Sequence, residues 1–189
     1  EAFYAGANAK AISDAVAKAP RNATQLTLKD LAAYKAKERP AVCTTYRIYK
    51  VCGMGPPSSG ATTVFGILGM LEAYDMKAMG KDSPMSWHLI GEAMQLAYAD
   101  RAKYLGDPGF VDVPVKGLLD KSYIASRAHL ISPLRALGTY EAGTPPGAKP
   151  RTAAPPGEVS GTTHFVASDK AGNLASMTST IEGIFGSQL

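Results

Sequence analysis

No stretch of this chain stays apolar long enough to cross a bilayer as a helix. Nor is there a run or stripe of Lys and Arg, although the formal net charge is +4. Nucleic-acid and membrane-surface binding normally show such clustering, so neither partner class is expected. An initiator Met is missing, and so is a signal-peptide pattern: Glu1 opens EAFYAGANAK, which reads as the start of a helix. The far end, residues 181–189 (IEGIFGSQL), has no helix stop signal and no polar tail. The sequence is therefore expected to be a stretch of a longer polypeptide. Internal repeats are absent, and no Lys follows Ser58-Ser59 as in a phosphate-binding loop, nor is there a G-x-S-x-G elbow. The Ser58-Ser59 turn is better read as a rigid wall.

What remains is a globular composition, 46% apolar and 19% charged over 189 residues, enough for one domain with a sizeable core. Residues 3–18 are Ala-rich with helical spacing. Thr27-Leu-Lys-Asp30 resembles a capping box and opens a short helix running to residue 37, before Pro40. The two cysteines lie in AVCTTYRIYKVCGM, where alternation predicts a hairpin turning near residues 46–48. That centre sets Cys43 across from Cys52, close enough for a disulfide in an oxidising compartment; two small buried thiols are the alternative. Met54-Gly-Pro-Pro-Ser-Ser-Gly60 is a rigid turn. Helices are then expected over residues 61–73, from Ser83-Pro84 to Arg101 with Gly106-Asp-Pro108 as the stop, and over residues 118–129.

The spacing of His88 and Glu92 would suit a metal only with further ligands, and a helix-face pair explains it as well. Asp100, Arg101 and Asp107 are expected to form an ion-pair and turn network at a helix end. Residues 138–157 hold five prolines and four glycines among small polar residues, which predicts a mobile linker.

Beyond the linker the pattern becomes β. Residues 162–168 and 174–181 alternate around the turn Asp169-Lys-Ala-Gly-Asn173. A symmetric five-residue loop pairs Ser168 with Leu174, Val166 with Ser176, His164 with Thr178, and Thr162 with Thr180, all on one face. Thr–Thr pairs are common in sheets, so the cluster by itself is also ordinary strand chemistry. Its position directly after a Pro/Gly linker suggests more. A threonine hydroxyl needs a base, and cutting the bond before Thr162 would free an α-amine with a reference pKa of about 7.7–8.0.

In order along the chain stand Glu38-Arg-Pro40, Met54 to Gly60, Glu92-Ala93, Tyr98-Ala-Asp-Arg101, Tyr104-Leu-Gly-Asp-Pro108, Phe110-Val111, Gly161-Thr-Thr-His164, the 169–173 turn, Ser179-Thr180-Ile181 and Phe185-Gly-Ser187. This series resembles the γ-glutamyltransferase (γ-glutamyl transpeptidase) family of N-terminal-nucleophile hydrolases. The resemblance implies an α+β chain forming part of an αββα fold, mostly helical to about residue 130. It further implies that residues 1–137 (with the short hairpin near 41–53) end a large subunit, 138–161 form the linker, and 162–189 start a small subunit. The precursor would cleave itself at Gly161–Thr162, with Thr162 as nucleophile and Thr180 supporting it. His164, Thr178 and Glu182 would be candidates to support the nucleophile or hold substrate.

Substrates would be γ-glutamyl amides such as glutathione, with no cofactor or metal, in a periplasmic or secreted setting. Partners would be the rest of both subunits. The family commonly has Asn where Glu182 stands, and a carboxylate there would repel a bound α-carboxylate. A cephalosporin-acylase-like enzyme with another amide substrate is therefore an alternative, as is a silent binding homologue. The family's paired-Ser and Gly-Gly segment would lie beyond Leu189 and its substrate-gripping Arg before Glu1. The isolated chain is accordingly expected to be inactive, uncut at Gly161–Thr162, and prone to self-association through an exposed sheet edge.

Overall fold

The computed structural model describes residues 3–20, 23–152 and 160–183. Among them are seven helices and two two-stranded antiparallel sheets, an α+β content. The chain divides into two compact units, one of residues 39–156 and one of residues 1–38 with 157–189.

In the first of these, β1 (Val42–Tyr46) and β2 (Tyr49–Gly53) form the anticipated hairpin, with Cys43 opposite Cys52 and the two joined by a disulfide. Arg47 in the turn has φ +52, an unusual conformation for a residue with a Cβ. Two bonds to a distant helix end hold it: its N–H donates to Glu72 Oε1 (2.5 Å) and its guanidinium to the Tyr74 carbonyl (2.8 Å). A bridge across a nine-residue separation is worth about 2.6 kcal/mol in the chain-entropy account. Reductant should therefore lower the thermal unfolding midpoint of the wild type and leave Cys43→Ser, already lowered, unmoved. A wild type indifferent to reductant would show that the bridge adds nothing.

The core is a helix-on-helix layer. α3 (Gly60–Leu71) contributes Met70 and Leu71, and α5 (Pro84–Tyr104) contributes Leu89, Ala93, Leu96 and Ala97, four residues on the 3–4 spacing of one helical face. Pro84 sits at the first turn, where its missing N–H costs nothing. Ser83 occupies the cap position but makes no side-chain capping bond. A short helix, α4 (Met76–Met79), precedes it, capped by Asp75 and not foreseen in the sequence. The helix expected over residues 118–129 is two, α6 (Val115–Leu118) and α7 (Lys121–Ala128). Asp120 causes the break: its carboxylate accepts from the Tyr123 N–H (2.9 Å) and restarts the helix.

The largest correction concerns residues 138–152, expected to be mobile. From Leu137 to Arg151 the chain is strapped onto α5 and its neighbours. Glu92, 4% exposed, accepts from the Leu137 N–H (3.0 Å) and the Tyr140 hydroxyl (2.5 Å). Two turns further on, Asp100 accepts from the Gly143 N–H (2.8 Å) and the Tyr123 hydroxyl (2.8 Å), with Arg127 Nε 3.4 Å away. Tyr104 donates to the Gly143 carbonyl (2.7 Å), and Arg127 to the carbonyls of Leu96 (3.2 Å) and Glu141 (2.6 Å). Arg151 donates to the carbonyls of Tyr104 (2.9 Å) and Asp112 (3.4 Å).

Pro145 is fully buried, and Gly117 admits the strap because a Cβ there would overlap the Pro146 carbonyl. Pro and Gly leave the segment without a core of its own, but its backbone donors and acceptors find buried partners elsewhere. Burial raises the Asp100 carboxyl above its usual range against the pull of Arg127 and the two donors, and burial with the Asp100 charge raises Tyr123 further. Residues 153–157 lie outside the described residues.

The expected ion-pair and turn network is present in pieces: Arg101 Nε donates to Ser59 Oγ (3.0 Å), tying the 54–60 turn to α5, and Arg39 lies 3.6 Å from Asp107. His88 meets the Ser132 carbonyl at 2.8 Å rather than Glu92.

The other unit holds α1 (Gly6–Ala17), α2 (Leu28–Ala33) and the second hairpin. Thr27 and Asp30 complete a reciprocal capping box. α2 ends at Ala33, four residues short of expectation. The following residues up to Glu38 are exposed, so no burial sustains further turns.

Candidate active site

The second hairpin pairs β3 (Ser160–Ser168) with β4 (Leu174–Gly183). Its register is the one the loop geometry requires: Thr162 opposite Thr180, His164 opposite Thr178, Val166 opposite Ser176, Ser168 opposite Leu174. The turn explains why the register cannot slip. Asp169 Oδ1 accepts from the N–H groups of Ala171 and Asn173 (both 2.9 Å), and Asn173 Nδ2 donates to Oδ2 (2.7 Å). Gly172 takes φ +84, which an L side chain would resist.

The Asn173 side chain and then its backbone hold the Asp169 carboxyl below the usual range. A depressed folded pKa gives stability that is present above the unfolded value of about 3.9 and lost as pH falls through the folded one. The Asp169 carboxyl carbon, followed by NMR, should therefore titrate below 3.9, and Asn173→Ala should return it towards that value. Titration at the ordinary value in the wild type would refute the clamp.

On the face carrying the threonines, Thr162 Oγ1 donates to Thr180 Oγ1 at 3.1 Å. His164 lies between two hydroxyls, with Nδ1 2.7 Å from Thr178 Oγ1 and Nε2 3.3 Å from Ser176 Oγ. Hydroxyls donate or accept, so either neutral imidazole tautomer is satisfied. Ser176 was missed in the sequence, although it is the diagonal neighbour of His164 in the derived register.

Beside Thr162 the ladder shifts: Ser160 pairs with Gly183, so Gly161 faces two residues, Ile181 and Glu182. The extra residue of this bulge is on β4, opposite the Gly161–Thr162 bond, and a bulge bends the strand that carries it. The side chain of Glu182 and residues 185–187 lie outside what the structure describes. The opposite face carries Phe165 and Met177, paired and about half exposed. Among the described residues, no three His, Cys, Asp or Glu side chains converge to hold a metal. Separately, an apolar cavity of about 440 Å³ opens within the helical unit beside Phe65, Leu68, Tyr74 and Ile124.

What the hairpin can do chemically is limited and specific. It presents one hydroxyl, Thr162, with a second hydroxyl in hydrogen-bond reach and a β4 bulge opposite the peptide immediately before it. The α-amine that would follow a cut has no counterpart in the intact chain.

A family profile described as Gamma-glutamyltranspeptidase matches residues 1–189. The chain is 41% identical over 184 residues to the "Glutathione hydrolase proenzyme" of Escherichia coli (strain K12), covering 97% of this chain and 30% of that protein. It is 37% identical over 186 residues to the "Acylase ACY 1 proenzyme" of Pseudomonas sp. (strain V22), covering 98% and 31%. Among solved structures it resembles the gamma-glutamyltranspeptidase of Helicobacter pylori (38% identity, TM-score 0.65, 75% of this chain and 40% of that one). It also resembles the cephalosporin acylase of Bacillus halodurans (32% identity, TM-score 0.65, 77% and 26%). The chain thus spans about 30% of the length of the curated relatives it matches.

Proposed function

Because the chain belongs to the gamma-glutamyltranspeptidase family, we propose that it is part of a self-processing acyltransferase or hydrolase whose nucleophile is Thr162. The observation that carries the reading is the 3.1 Å hydroxyl pair of Thr162 and Thr180 beside Gly161, which faces a bulge in β4. Residues 1–161 then belong to the end of a large subunit, with 138–161 leading to the cut, and 162–189 begin the small one. The complete molecule has the αββα fold, and the rest of both subunits covers the exposed Phe165–Met177 face; uncovered, that face would drive self-association.

Maturation starts with attack of Thr162 Oγ on the Gly161 carbonyl carbon. The new O–C bond forms as the C–N bond breaks, and the hydroxyl proton ends on the departing nitrogen, which becomes the α-amine. Water then opens the ester, leaving the Gly161 carboxylate and a free Thr162. Thr180 accepts the hydroxyl hydrogen bond and fixes the rotamer of the attacking oxygen.

In the mature enzyme the α-amine, with a reference pKa of about 7.7–8.0, takes the hydroxyl proton as Thr162 attacks an amide substrate. The acyl group moves to Thr162, the substrate's amine leaves with the proton, and water or a second amine resolves the ester. His164, hydrogen-bonded to Thr178 and Ser176, ties the strand that carries the nucleophile to β4.

The acyl donor is a γ-glutamyl amide such as glutathione, in keeping with the relative named as a glutathione hydrolase. A second reading, an acylase acting on another amide, is favoured by Glu182 where the family commonly has Asn and by the similar identity to a named acylase. The Cys43–Cys52 disulfide supports a periplasmic or secreted location, because such bonds persist in oxidising compartments. The test is mass spectrometry with N-terminal sequencing of the full-length protein. A chain beginning at Thr162 supports the reading. An intact chain that no amide substrate acylates would sink it. Glutathione against a side-chain amide of another acid separates the two substrate readings.

A further inference from the structure

Pairs in an antiparallel ladder alternate between those that exchange two backbone hydrogen bonds and those that exchange none. The Asp169 N–H donates to the Asn173 carbonyl (3.1 Å), and this bond sets the phase of the second hairpin. Counted back by twos through the register, residues 167, 165, 163 and 161 of β3 stand at hydrogen-bonding positions. Thr162 and Thr180 form one of the pairs between them. The 3.1 Å approach of their hydroxyls agrees, because side chains come closest at such pairs. Gly161 is thus at a position where a regular ladder brings one β4 N–H to its carbonyl. It faces two residues instead, Ile181 and Glu182. A wide bulge would lie between hydrogen-bonding positions; this one lies on such a position. There the two residues of the bulged strand turn both of their N–H groups toward the single carbonyl opposite.

We propose that the β4 bulge aims the N–H groups of Ile181 and Glu182 at the Gly161 carbonyl oxygen, where they stabilise the charge formed during self-cleavage. The proposal rests on the self-cleavage reading. When Thr162 Oγ adds to the Gly161 carbon, the carbonyl π pair moves onto the oxygen, which becomes an oxyanion. The pair returns as the C–N bond breaks and the departing nitrogen takes the hydroxyl proton. Two donors already aimed at that oxygen stabilise it without reorganisation at the moment of reaction. A regular ladder would supply one.

Deleting Glu182 tests the number of donors. Ile181 then stays opposite Gly161 and Gly183 stays opposite Ser160, so no other pair moves. Glu182→Pro removes the same N–H by another route, and bulges are among the strand positions that accept proline. In the full-length precursor, each variant should slow the appearance of a chain beginning at Thr162 by about 10²–10³-fold, the usual effect of losing one oxyanion donor. Glu182→Ala keeps both N–H groups and should slow it by less than about tenfold.

Two further readouts separate donation from support of the strand. The Thr163 and Phe165 amides, at hydrogen-bonding positions, should stay protected from hydrogen exchange in the variants. In the uncleavable Thr162→Ala precursor, labelled with carbon-13 at the Gly161 carbonyl, adding Glu182→Pro should move that resonance upfield, because a lost hydrogen bond shields the carbonyl carbon. If the deletion loosens the hairpin, the proline variant and the carbonyl resonance decide. Wild-type cleavage by the proline variant, an unmoved resonance, or an equal loss in Glu182→Ala overturns the donor assignment and leaves Thr162 standing as nucleophile. A wild-type precursor that never cleaves overturns both.

Discussion

Replacing Asp100 by alanine is expected to cost about 3–5 kcal/mol of folding stability, the usual consequence of removing one member of a buried ion pair. The reason is local. Asp100 and Arg127 have side chains only 10% and 7% exposed. Without the carboxylate, Arg127 keeps its carbonyl partners Leu96 and Glu141 but loses its only nearby counter-charge among the described residues. The Gly143 N–H and the Tyr123 hydroxyl lose their acceptor in the same step.

Against a total stability of about 5–15 kcal/mol, the loss is large enough to reduce soluble yield. Asp100→Asn keeps an oxygen for Gly143 but offers an amide to Arg127, so it should fall between wild type and alanine. Adding Arg127→Met to Asp100→Ala removes the stranded charge and should recover part of the loss, a coupling that a double-mutant cycle in denaturant measures. A cost below about 1 kcal/mol for Asp100→Ala would mean that the strap's other contacts, with Glu92, Tyr104, Arg127 and Arg151 and through the buried Pro145, hold it without Asp100.

That network also marks where the sequence stops being readable. The second hairpin could be derived from Ser168–Leu174 back to Thr162–Thr180 because strands have a period of two and the Asp169–Asn173 loop has a fixed length; only the shift that pairs Ser160 with Gly183 falls outside that one centre of symmetry. The starts at Thr27 and Pro84 were legible because a cap acts within four residues. Asp120 broke a helix for the same local reason, but inside an apolar run it passes for an ordinary surface charge.

The strap has no such signature. Pro and Gly say that residues 138–152 make no element of their own, and nothing in them says that Glu92 and Asp100 wait about 45 positions upstream. A buried acid whose partner is a backbone N–H has no complementary residue to search for. Cys43 and Cys52 show the intermediate case: the register was predictable, while the bond itself depended on surroundings outside the alternation.

The proposed nucleophile makes the sharpest demand. Thr162→Ala is expected to abolish self-cleavage of the full-length precursor, and amide turnover should fall by on the order of 10⁴–10⁶-fold, as when other covalent nucleophiles are removed. No other hydroxyl can substitute, because the proposed cut is at the bond preceding Thr162 itself and attack there must come from its own Oγ. Thr162→Ser retains that oxygen and the future α-amine but drops the methyl group that stiffens χ1 in a strand. It should still cleave, about 10–100-fold more slowly, the scale of a small misplacement of the reacting atom.

Thr180→Val keeps the shape and deletes the oxygen 3.1 Å away. It should slow cleavage by a comparable factor, whereas Thr178→Val, which loosens only His164, should change it less. The ordering Ala, then Val at 180, then Val at 178, read by the rate at which a chain beginning at Thr162 appears, distinguishes a catalytic pair from a cross-strand threonine ladder. In a ladder the two valine variants would be equivalent, since each removes one hydroxyl from the same exposed face, and Thr162→Ala would behave no differently from either.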